Sequence, residues 1–195
     1  MKKSLFIKMI ILAAINLAVA INVSGQSKYQ SSAFEIKLTG TSNLHDWEMK
    51  AISGTSDASF VVEKDKVISV SKLNFSLPAK NLKSGHNAMD KNTYKALKTD
   101  SNPTISFVLV SATVISSGGN NYKLNCVGKM TIAGVTNQTD LAASGIYNPA
   151  NKTFTITGIK KMKMTDYNVT PPKALLGTLK TGNDISIAYN IKFSS

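Results

Sequence analysis

Polar and apolar residues alternate along most of this chain in short runs. Phe34, Ile36 and Leu38 are separated by polar neighbours, as are Trp47, Met49 and Ala51, then Phe60 and Val62. Leu73, Phe75 and Leu77 lead into Pro78, and Ile105, Phe107 and Leu109 resume the pattern beyond it. Val108 and Val110 make that last strand apolar on both faces. Tyr122, Leu124, Cys126, Met130 and Ile132 share one side, followed by Leu141, Ala143 and Gly145, then Phe154 and Ile156. The final run is the cleanest: Ile185, Ile187, Tyr189, Ile191 and Phe193 against Ser186, Ala188, Asn190 and Lys192. A period of two is the signature of strands with one buried face, and about eight to ten of them fit here. Tight turns such as Ser116–Asn121 (SSGGNN) and Asn148–Lys152 (NPANK) join them. The spacing predicts an all-β fold, either an antiparallel sandwich or an up-and-down barrel.

One segment breaks the pattern. In Asn87–Lys98, Met89, Thr93, Ala96 and Leu97 recur at helical spacing. Asn87 is placed to cap the first turn, with Asp90 as its capping-box partner, and Lys95 and Lys98 sit towards the negative end of the helix dipole. Asn102-Pro103 ends the segment and hands over to the next strand. A single amphipathic helix beside a closing sheet is expected to cover an open end, laying Met89, Ala96 and Leu97 over it.

The first residues carry a different message. Lys2 and Lys3 precede the apolar run Met9–Ala20, and small residues then permit cleavage after Ala20 or after Gly25. This is the layout of a secretory signal peptide; the run is shorter than a membrane span and broken by Asn16 and Asn22. Residues 1–25 are therefore expected to be removed, leaving 26–195 as a single domain in the periplasm or secreted. With one cysteine, the fold has no internal disulfide, and Cys126 lies on an apolar strand face where a buried, inert thiol is expected.

Every basic residue is a lysine. Of the 23, three leave with the signal, so 20 face 11 acidic residues for a net charge of +9. The absence of arginine argues against nucleic-acid reading. The field suits either transient contact with an anionic membrane surface or simple solubility.

Chemistry is sparse. His45 in SNLHDW and His86 before the helix are the only histidines. Adjacent His45 and Asp46 would point to opposite strand faces, and no GxSxG, HExxH or phosphate loop is present. A metal site usually needs three or four ligands, and two distant histidines with an unidentified carboxylate make a weak case for one. No catalytic residue, resident cofactor or metal is expected. Gly158–Met164 (GIKKMKM) reads either as a half-buried strand with gap-filling methionines or as a flexible apolar wall with cationic groups at its rim.

The order of these motifs resembles the YceI-like family. SNLHDW opens an early strand, LPAKNLKSGHNAMDKNTYKAL carries the helix into NPTISF, and CVGKMTIAGVTNQTDL follows. In the last, Gly128, Thr131, Ile132, Gly134 and Thr136 match G-x-[LM]-T-I-x-G-x-T. The likeness covers Ser32 to Phe193. It implies an eight-stranded antiparallel, lipocalin-like β-barrel with one short α-helix and an elongated hydrophobic channel, and an exported protein that binds polyisoprenoids or similar long-chain amphiphiles. Two stretches depart from the commoner pattern, SGHNAMDKN before and within the helix and MTDYNVTPPKALLG at Met164–Gly177. Both fall at expected channel rims.

The resulting expectation is a lipid carrier rather than an enzyme, its partner a long-chain amphiphilic lipid. Trp47, Phe60, Phe75, Leu77, Phe107, Leu124, Met130 and Phe154 are the candidate channel lining, and His45, His86 and Lys163 the candidate polar rim. The alternatives are a metal-assisted enzyme using His45 and His86, and a ligand-free structural or stress protein of the envelope with a filled core. Oligomeric state stays open, a homodimer included.

Overall fold

The computed structural model describes residues 26–195, so the expected signal peptide lies outside the described residues. Strands β1 (Gln26–Ser42), β2 (Trp47–Ala51), β3 (Thr55–Glu63) and β4 (Lys66–Pro78) precede the helix α1 (Asn87–Ala96). After it come β5 (Thr104–Ser116), β6 (Asn121–Ile132), β7 (Val135–Asn148), β8 (Thr153–Lys163), the two-residue β9 (Lys173–Ala174) and β10 (Leu179–Ser194). Every pairing is antiparallel, and β1 pairs with β10 to close the sheet on itself. β2 and β3 share one edge of β1, opposite Ile36–Gly40 and Gln26–Gln30 respectively, so together they act as one interrupted strand. Because β9 only flanks β10, eight strands make the wall. Closure is what an antiparallel sheet needs to abolish its edges.

The period-two residues face inward. On β6, Tyr122, Leu124, Cys126 and Ile132 are buried, and on β8 Phe154 and Ile156. The second apolar face of β5 looks outward, with Val108 and Val110 half exposed. Short hairpins gather at one end of the barrel. The β3–β4 turn places Lys64 and Asp65 at φ 47° and 60°, the left-handed pair that matches strand twist. At the other end, the β6–β7 turn uses Ala133 and Gly134 at φ 51° and 83°. That end also bears the longer connections: the β1–β2 loop, α1 and the segment between β8 and β10.

The short-hairpin end is solid. Phe60 meets Tyr29, Phe154 and Phe193 edge-on at 4.9, 4.8 and 5.7 Å between ring centres. Phe154 in turn meets Tyr122 and Tyr147 at 5.9 and 6.3 Å. Edge-to-face pairs add about 0.5–1.5 kcal/mol each beyond area burial. The hydroxyl of Tyr122 accepts the backbone N–H of Val67 at 3.1 Å. This block of rings stops the barrel interior from running through.

The wall is not uniformly zipped. β7 and β8 pair only over Ala143–Asn148 and Thr153–Gly158, and beyond that point they part. A 3-10 turn at Met164–Tyr167 follows β8, and its Tyr167 is buried with Val169 against Ile132 and Ala133. Tyr189 on β10 lies opposite Gly158, and its hydroxyl donates to the Ala142 carbonyl at 3.0 Å, where the seam begins. A β-carbon at position 158 would overlap the Tyr189 phenol, so only glycine lets the ring cross there.

The helix start differs from expectation. His86, not Asn87, is the N-cap, in extended conformation and with no capping hydrogen bond from its side chain. Asp90 is buried and reaches back to Ser84 instead, accepting from its backbone N–H at 2.8 Å and its hydroxyl at 2.7 Å. Burial pushes this carboxyl up, but the Ser84 hydrogen bonds and the charges of Lys83 and His86 outweigh it and hold the group below its ordinary range.

Candidate functional site: an apolar cavity beneath the helix

Between the aromatic block and the long-loop end lies a cavity of about 600 Å³. Its size falls within the usual range for small-molecule pockets. The walls are strand side chains such as Ile36, Leu73, Phe75, Met130, Ile156 and Ile187. α1 contributes Met89, Thr93 and Ala96, and Leu97 just beyond it joins them, so the amphipathic stripe of the helix faces the barrel interior and roofs it. On the far side Met162, Met164, Tyr167 and Val169 continue the wall across the β7/β8 seam. The methionines are adaptable, polarisable surface that can repack around irregular chains.

Trp47 stands near the mouth. Its ring lies over Gly40, where a β-carbon would collide with it, and its Nε1–H donates to the Thr41 carbonyl at 2.9 Å. The indole is thereby fixed in the cavity lining. The neighbouring loop is tied in place: Ser42 Oγ donates to the His45 carbonyl at 2.7 Å, and Asn43 Nδ2 donates to the Thr178 carbonyl at 2.9 Å. His45 Nδ1 is 2.7 Å from the Asp46 carbonyl. A carbonyl only accepts, so this bond is donated by Nδ1–H. Among the described residues, no three His, Cys, Asp or Glu side chains come together in a way that could hold a metal ion.

Of the residues marked out in the sequence, Trp47, Phe75, Leu77, Phe107, Met130, His45 and His86 all line the cavity. Phe60, Leu124 and Phe154 do not; they face inward but sit in the packed end below it. Lys163 is off the cavity altogether, on an outer groove beside Asp166 and Asp184. The reason is parity along β8: inward residues fall at 154, 156, 158, 160 and 162. Sequence reasoning missed Lys160, Met162, Ile187 and Tyr189, although the same count from Phe154 would have found the first two. Asp140, on the outside of β7, is held below its ordinary range by the Lys160 ammonium.

The family model for the YceI-like domain matches residues 27–193, nearly the whole of the described chain. The chain belongs to the YceI-like family. Among curated proteins none matches it. Solved structures share its fold at low identity. BcnA of Burkholderia cenocepacia superposes with a TM-score of 0.64 at 16% identity, covering 82% of this chain and 95% of that one. A polyisoprenoid binding domain from Saccharophagus degradans, implicated in plant cell wall breakdown, gives 0.62 at 8% identity, covering 86% and 98%. The YceI protein of Campylobacter jejuni gives 0.53 at 15% identity, covering 72% and 81%. The YceI-like barrel is thus the fold of this chain.

Proposed function

We propose that this protein is an exported carrier that holds a polyisoprenoid or similar long-chain amphiphile in the cavity, without catalysing a reaction. The observation that carries this reading is the cavity: about 600 Å³, walled by apolar side chains, blocked at one end and roofed by an amphipathic helix at the other. Each methylene moved from water into such a space contributes about 0.8 kcal/mol. A long chain is therefore bound by burial alone, with no special chemistry. The S. degradans relative, described as polyisoprenoid binding, supports the isoprenoid part. Export to the periplasm or beyond the cell rests on the signal-like sequence of residues 1–25.

A second reading keeps one observation: His45 and His86 face the same cavity. If they served a metal-assisted enzyme, replacing either would abolish turnover and leave lipid binding intact. A third, the ligand-free structural protein, requires a filled interior, and the cavity weighs against it. The test is extraction of the protein, purified from its native compartment, followed by mass spectrometry. One long-chain amphiphile per barrel is expected. A lipid-free extract, together with failure to bind a labelled prenyl lipid, would sink the carrier reading.

A further inference from the structure

The β7/β8 seam holds a residue that an apolar cavity does not by itself explain. Lys160 lies on the inward parity of β8, and its stem lines the cavity with Met162 and Ile187. Were the β7–β8 register continued past Ala143 and Gly158, Lys160 would stand opposite Leu141, also inward. Because the strands part, the lysine passes between them and its ammonium meets Asp140 on the outer face, Nζ to Oδ1 3.1 Å. The lysine side chain is only 20% exposed, whereas its carboxylate partner is 84% exposed. Nothing else in the lining opposes that positive charge: among the described lining residues there is no carboxylate, and Lys173 is a second lysine. Such a chamber disfavours a cationic head and favours an anionic one.

We infer that Lys160 is the head-group residue of the cavity: it pairs with the anionic head of an amphiphile, a phosphate or a carboxylate, whose chain fills the apolar space. This rests on the carrier reading above. Lysine suits the role because its charge is a compact point on a flexible four-carbon stem. Swinging inward, the ammonium leaves an exposed carboxylate that water and salt already screen. It gains a charge-assisted hydrogen bond beside an apolar wall, where such bonds are stronger. Lys173 is also on the lining but is exposed to solvent at the mouth, where a pair is worth less.

The test is equilibrium binding of four probes to the lipid-stripped protein: geranylgeranyl phosphate, geranylgeraniol, palmitate and hexadecanol. An anion is expected to bind about tenfold or more tightly than its own alcohol. A preference seen only in the prenyl pair assigns a phosphate head; one seen only in the C16 pair assigns a carboxylate head. Lys160→Met and Lys160→Gln are expected to erase the preference while both alcohols still bind, which also reports an intact cavity. Lys173→Met is expected to keep it. Equal binding of anions and alcohols by the unaltered protein, or a preference that survives both Lys160 variants, overturns the assignment while the carrier reading stands. Binding of none of the four overturns both.

Discussion

At Gly158 the absence of one β-carbon decides how the wall is built. The Tyr189 ring crosses the glycine to reach the Ala142 carbonyl, so Gly158→Ala forces the phenol or the strand to move. Urea denaturation is expected to show a loss of about 1–3 kcal/mol, typical of overpacking. In a Tyr189→Val background the same change should cost much less; purely additive losses would contradict the contact. The phenols make a second prediction. Burial, the main cause for both, pushes Tyr29 and Tyr189 from 10.0 up to about 12. The folded protein therefore keeps protons that the unfolded chain releases, so stability is whole below pH 10 and is lost as pH rises towards about 12. Denaturation midpoints should fall across that window, and less steeply in Tyr189→Phe; a flat profile would refute it. These residues also show where sequence reading stops. Alternation is legible on β8, and parity with Phe154 turns Lys160 inward and Lys163, the expected rim residue, outward. That Lys160 leaves the barrel through a seam depends on strands parting, which no local pattern encodes.

At the scale of elements, α1 and the aromatic block do opposite work. The helix was legible from its spacing, and its apolar stripe does face the cavity, but its first turn is held by Asp90 on Ser84 rather than by a cap at Asn87. Asp90→Ala is expected to cost about 1–3 kcal/mol, the penalty for leaving hydrogen-bond partners unmet, and to speed amide exchange in α1. Unchanged exchange there would mean the helix is anchored by other contacts. Since the Asp90 carboxyl is held below its ordinary range, its contribution is present above the unfolded aspartate pKa and fades as pH falls through the folded value. Phe154, fully buried among Tyr122, Tyr147 and Phe60, belongs to the support rather than the wall. Phe154→Ala should cost about 3–5 kcal/mol and leave ligand preference alone, whereas Phe75→Ala should alter ligand affinity. Strand alternation identifies which face a residue takes but not its height along the barrel. Hence alternation alone does not separate Phe60, Leu124 and Phe154, which pack below the cavity, from Phe75 and Phe107, which line it.

For the whole molecule, alternation left sandwich and barrel equally open, since both bury one strand face. Closure of β1 on β10 is a long-range pairing between chain ends, invisible to local pattern and reached only through the order of family motifs. Export can be checked apart from the fold: N-terminal sequencing of protein recovered from outside the cytoplasm should begin at Ile21 or Gln26, and an uncleaved Met1 would contradict it. The central claim, a cavity that takes one long-chain amphiphile, has a built-in reporter. Trp47 is the only tryptophan in the chain and lines that cavity. Titrating the lipid-stripped protein with a long-chain prenol should change Trp47 emission saturably at one ligand per barrel, and Ile187→Phe, which fills the cavity, should weaken the response. An emission that does not change, or that changes without saturating and equally in the filled variant, would contradict the account.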